Sequence, residues 1–168
     1  MLDLTRRSFL ALGAATALSA CTTIPMLPAA TSNAPDSLSR DQIVAAINAV
    51  RAANGAPRWS YNSLLEDAAR SQARLCAARN TLSHDLGVTL RQRVTAAGYI
   101  GAVGENLAGG QKTLDQAITG WMNSAGHRNT LLSHKFVEFG LATATASGGK
   151  RYWAMIAGGS FDAWRVYQ

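Results

Sequence analysis

Cysteine is almost absent from this chain, with only Cys21 and Cys76 among 168 residues. A disulfide-stapled fold is therefore excluded, and packing has to hold the structure together. Long hydrophobic runs are missing too. The most apolar stretch, Phe9 to Ala20, is twelve residues long and too short to cross a bilayer as a helix. No basic cluster is interleaved with aromatics, which argues against nucleic acid as a partner, although the formal charge is +6. There is no internal repeat and no phosphate-binding glycine loop. The glycines from Gly104 to Gly110 lack the spacing and the downstream acid of a dinucleotide fingerprint. Histidine occurs three times, at His84, His127 and His134.

What is present begins with an export signal. Residues 1–20 combine Arg6-Arg7, a short apolar core and small residues at its end. The arginine pair resembles a twin-arginine signal, and Leu18-Ser19-Ala20-Cys21 resembles a lipobox. The expectation is cleavage before Cys21 and lipidation of Cys21, which would anchor the chain to a membrane of a bacterial cell envelope. The alternative is an ordinary signal cleaved nearby, with Cys21 incidental. The first 20 residues carry two arginines and one aspartate, so their removal lowers the charge from +6 to +5. Residues 21–38 hold three prolines among small polar residues and read as a disordered tether. The folded domain is expected over 39–168, long enough for one core.

The domain opens with helical patterns. Ser39 and Gln42 form a capping box ahead of Ile43, Ala46, Ile47 and Val50, and Gly55 ends that helix. A second helix starts at Asn62 or Ser63 and runs to about Arg79. Its apolar face includes Leu65, Ala68, Ala69 and Cys76, so Cys76 reads as a buried thiol. Trp59 and Tyr61 are expected to pack under it. Thr89 and Gln92 cap a short third helix. Thr113 caps a fourth, which Gly126 is expected to break, with Asn129 capping one further turn. Residues 103–108, 137–146 and 152–157 read as strands, the last two joined across Ser147-Gly148-Gly149-Lys150 as a hairpin. Helices first and strands last predict an α+β fold with an antiparallel sheet.

The chemistry-bearing residues are few. Glu105 sits in the apolar run VGENLAGG, where a charge needs a partner or solvent. His84 and His127 each follow a helix. Two imidazoles and a carboxylate can supply three ligands to a divalent metal such as zinc, or do acid–base work without one. Equally, Glu105 can bond backbone amides while both histidines end helices. Spacing alone does not decide between these readings. Ser124, three residues before His127, lacks the strained turn of a nucleophile. His134 reads as a surface residue.

Gly104-Glu105-Asn106-Leu107-Ala108 resembles the GEN(I/L)A signature of the CAP superfamily, the SCP-domain proteins. Trp121 to Asn129 resembles the family's W-M-x-S-P-G-H-R-x-N stretch. Arg93 to Tyr99, Tyr152 to Met155 and Asn48-Ala49-Val50-Arg51 resemble further blocks, in the family's order. The resemblance implies a three-layer α-β-α sandwich with a central antiparallel sheet. It also implies a cleft gathering His84, Glu105 and His127, which are both the cleft residues and the metal ligands to expect. In that picture Glu105 faces the two histidines across a solvated cleft, and Asn106 fixes the local backbone. Many eukaryotic members carry a second glutamate where this chain has Ser124, and the bacterial proline is Ala125. The expected function is a non-enzymatic binding module for a divalent cation, a lipid or an envelope polymer, with no catalytic residue assigned. The alternative is a metal-assisted hydrolase of the envelope.

Overall fold

The computed structural model describes residues 38–165. The expected signal peptide, Cys21 and all but the last residue of the expected tether lie outside the described residues. No helix among the described residues is long and apolar enough to cross a membrane.

Capping chemistry sets the helix starts. Ser39 and Gln42 make a reciprocal capping box at α1 (Arg40–Ala53), as Thr89 and Gln92 do at α3 (Leu90–Ala96). The Asn62 side chain accepts from two amides at the start of α2 (Ser63–Arg79). Thr113 caps α4 (Leu114–Asn123). A seven-residue helix, α5 (Ala125–Leu131), follows directly. The break between them falls at Ser124, not at Gly126. Ser124 is extended (φ −104°, ψ 121°), so it ends α4 and begins α5 at once, and Gly126 and Asn129 lie inside α5.

Four strands form one sheet in the order β1-β3-β4-β2. They are β1 (Ser60–Tyr61), β2 (Ala102–Gly109), β3 (Glu138–Thr145) and β4 (Arg151–Gly159). The three long strands are antiparallel, as expected. The short β1 pairs parallel with β3, so the sheet is mixed. The Asn48 side chain holds both backbone groups of Trp59, at 2.8 and 2.9 Å, and steers the chain along the β3 edge. Two residues are too few to leave a periodic pattern in the sequence.

Alternation along β4 shows how the layers form. Tyr152, Ala154 and Ile156 pack with Leu65, Ala68, Ala69, Cys76 and Val94 of α2 and α3. Trp153, Met155 and Ala157 pack on the other face with Ile43, Ile47, Ile118, Trp121 and Leu131 of α1, α4 and α5. Both faces of the sheet are covered, which gives the α-β-α sandwich of an α+β domain. Trp59 belongs to the α1 face rather than lying under α2. There it donates to the carbonyl of Phe136 and carries the guanidinium of Arg51 3.7 Å from its ring centroid.

Arg51 is fully buried without a carboxylate partner in its bonds. It donates to the carbonyls of Pro57, Leu131 and Ser133, at 2.7, 2.6 and 3.2 Å. Burial lowers its pKa to about 10. The group ties α1 to the end of α5. Arg51→Lys is expected to cost about 1–3 kcal/mol, because an ammonium cannot reach three carbonyls in one plane. Urea unfolding of the two proteins reads that loss, and unchanged stability would contradict it.

Candidate functional site

The segment after α2 is folded by its own polar groups. Asn80 ends α2 in the left-handed region (φ 46°). Gln72 of α2 donates to the Ser83 carbonyl at 2.5 Å, and the Ser83 hydroxyl donates to the Asp85 carbonyl. Arg93 of α3 donates to the carbonyls of Val88 (2.5 Å) and His84 (3.4 Å). These bonds hold His84 at the edge of the α2–α3 layer.

Glu105 lies near the middle of β2, paired with Ile156 of β4. Its side chain is only 2% exposed, and both carboxylate oxygens are taken. Arg93 Nη2 bonds Oε2 at 2.6 Å, and His84 Nδ1 bonds Oε1 at 2.8 Å. Arg93, which the sequence analysis did not single out as a site residue, is thus the principal counter-charge. Leu90, Arg93 and Val94 stand at i, i+3 and i+4 on the inward face of α3, and that spacing is the signal that could have found it.

His127 arrives from the other layer. It sits on α5, and its backbone carbonyl accepts from Asn106 Nδ2 at 2.8 Å. Asn106 neighbours Glu105 on β2 but points to the opposite face, so this edge strand carries one clamp for each layer. Asn106 therefore fixes the backbone of α5 rather than that of its own strand. Glu105 itself bonds one histidine, His84. Ser124 gives no side-chain cap to α5. His134 is exposed.

The two imidazoles have opposite proton affinities. The Glu105 hydrogen bond raises the pKa of His84 above its ordinary 6.5, against an opposing contribution from burial. Burial lowers that of His127, with a smaller push from charge on His84. His84 thus contributes stability that is complete below pH 6.5 and fades as pH rises through its folded pKa. His127 favours its neutral form, so its contribution is present above 6.5 and fades as pH falls through its folded pKa. In a proton NMR titration His84 should titrate above 6.5 and His127 below it, and Glu105→Gln should bring His84 down. A His84 midpoint at or below 6.5 in the wild type would contradict the clamp.

Among the described residues no group of three or more His, Cys, Asp or Glu side chains is placed to hold a metal ion. The residues that could hold a cation are the imidazoles of His84 and His127. A hydrogen bond from Nδ1 to a carboxylate fixes a metal-ligating histidine's tautomer and leaves Nε2 bare. His84 has the carboxylate partner, which also favours its charged form, while His127 is held toward the neutral form that a ligand requires.

The model of the cysteine-rich secretory protein family, CAP, matches residues 44–157, which takes in both histidines, Arg93 and Glu105. This chain belongs to the CAP family. A curated relative, the uncharacterized protein YkwD of Bacillus subtilis, is 29% identical over 116 residues, covering 66% of this chain and 45% of its own length. The chain thus spans less than half of that relative. Among solved structures, an extracellular protein containing an SCP domain from Bacillus anthracis is similar with a TM-score of 0.62 at 25% identity. That match covers 71% of this chain and 40% of the other. An outer surface protein of Borrelia burgdorferi gives a TM-score of 0.64 at 21% identity, covering 71% of this chain and 91% of the other, and supports the fold. CAP membership leaves the ligand open, because the fold alone does not set the function.

Proposed function

We propose that this CAP domain is an exported, non-enzymatic binding module whose cleft takes a divalent cation of the zinc type on His84 and His127. The observation that carries the reading is the chain Arg93–Glu105–His84, which anchors one imidazole by Nδ1 and leaves its other nitrogen available. Glu105 is then the orienting carboxylate rather than a direct ligand, because Arg93 and His84 already occupy its two oxygens. With Ser124 in place of a second glutamate, the protein supplies two ligands. The remaining positions of such a cation would fall to water or to an envelope ligand. The extracellular Bacillus anthracis relative and the signal-like N-terminus support an envelope location, with lipidated Cys21 as the membrane anchor.

Titration calorimetry with zinc at neutral pH tests this reading. The wild type should bind at micromolar concentration or below, and His84→Ala/His127→Ala should not. Glu105→Gln should bind about 10–100-fold more weakly. Equal binding by the wild type and the double variant, or binding by neither, would contradict it.

One observation favours a second reading, a metal-assisted hydrolase: the opposite shifts of His84 and His127 are a pattern that acid–base pairs use. That reading requires turnover of a peptide or envelope polymer that disappears in His127→Ala.

A further inference from the structure

Three of the five large apolar side chains exposed among the described residues gather at one end of the sheet. They are Ile100 (91% exposed), Val137 (58%) and Phe161 (46%). Ile100 precedes Ala102 by two residues, Ala102 pairs with Gly159, and Phe161 follows Gly159 by two. Val137 donates its N–H to the Gly158 carbonyl at 2.9 Å, one strand further over. The three residues therefore extend β2, β4 and β3 past the same end.

A cation is built into this patch. Arg91 donates to the Gly101 carbonyl at 2.9 Å, and its guanidinium lies 5.5 Å from the Phe161 ring centroid. Two acids lie nearby, one of them bonded within the fold and the other in an exposed pair. Both oxygens of Glu138 accept bonds, from Tyr99 and Asn62, and Asp162 lies 3.6 Å from Arg165. What this end presents outward is an aliphatic tip, an aromatic ring, Arg91 and the Asp162–Arg165 pair, which leaves a net positive charge at the patch on a chain of net charge +6.

We infer that this end of the domain docks on an anionic phospholipid surface, with Ile100 and Phe161 entering the headgroup boundary and Arg91 meeting the phosphates. Exposed aliphatic and aromatic groups flanked by arginine are the composition of an interfacial anchor. Ile100 projects from the turn between α3 and β2 almost wholly into solvent. A lipid interface accommodates such a projecting group without a matching pocket, which a protein partner would have to supply. The patch shares no side chain with the His84–Glu105–Arg93 clamp or with His127, so it stands or falls independently of cation binding.

The test is co-sedimentation of the full chain with phosphatidylcholine vesicles, with and without phosphatidylglycerol. Every variant carries the same N-terminal segment, so differences between them read the patch. Binding to the anionic vesicles should fall about tenfold in Ile100→Asp/Phe161→Asp. It should fall about fivefold in Arg91→Gln, and little should bind to phosphatidylcholine alone through the patch. Ile100→Ser is a second probe should the double variant fail to fold, because a side chain so exposed has little packing to lose. Unchanged partition in variants that melt like the wild type would overturn the inference. So would a patch-dependent shift to dimer in sedimentation velocity, which would make the occupant a second copy of the chain.

Discussion

Replacing Arg93 by methionine should cost about 3–5 kcal/mol of folding stability, the usual penalty for stripping one member from a buried ion pair. The size of the effect follows from exposure. The Arg93 side chain is 0% exposed and that of Glu105 2%, so little solvent screens either charge. Without Arg93, Glu105 keeps His84 alone, on a side chain that is 60% exposed. The carbonyls of Val88 and His84 also lose a donor. Arg93→Met/Glu105→Leu should recover much of the loss, because removing both charges also removes the uncompensated one. Recovery should be partial, since the two carbonyls stay unpaired. Urea unfolding of the wild type, both single variants and the double variant completes the cycle. A loss below about 1 kcal/mol in Arg93→Met would place the pair among the weak, solvated kind.

Gly140→Ala should be comparably severe, for a steric reason. Gly140 lies on β3 opposite Ile156 and faces α2. A Cβ built there would stand 2.6 Å from Glu66 Cα, and nearer still to Glu66 N and the carbonyl carbon of Leu65. These are backbone atoms of the first turn of α2, so no side-chain rotation relieves the clash. Ordinary overpacking costs about 1–3 kcal/mol, and displacing a helix from its sheet should reach or exceed the upper end. The neighbours explain why so close an approach exists. Ala68, Ala69 and Ala73 of α2 and Ala142 of β3 are all buried in the same cluster, so small residues on both sides let helix and strand backbones meet. A melting temperature within a degree or two of the wild type would contradict this packing.

Local chemistry was legible in the sequence. The caps at Ser39, Asn62, Thr89 and Thr113, the buried thiol of Cys76 and the three long strands all depend on neighbours a few residues away or on a simple period. The family and its sandwich were legible through ordered motifs. The parallel pairing of β1 was not, because two residues carry no periodicity and their partner lies far along the chain. The α4–α5 break was misplaced because Gly126 looked like the weak point. Yet nothing lies within 4 Å of a Cβ built at Gly126, and the chain turns at a serine with ordinary extended angles.

The site shows the same limit. VGENLAGG posed the question of what Glu105 faces, and the residues pointed to histidines. The structure gives His84 on one oxygen and Arg93 on the other. Arg93 reaches Glu105 from a separate element, α3, and its role depends on that helix packing against the sheet. An apolar run around one acid does call for a counter-charge, and the inward face of α3 held one.

In the proposed site Glu105 fixes the Nδ1–H tautomer of His84 and leaves Nε2 to a cation. Long-range proton–nitrogen NMR of the imidazoles, recorded above the raised pKa of His84 and with and without zinc, tests that most directly. The expected result is a neutral His84 protonated at Nδ1, whose Nε2 shifts on zinc addition together with a ring nitrogen of His127. A His84 protonated at Nε2, or zinc shifts that spare both rings, would contradict it.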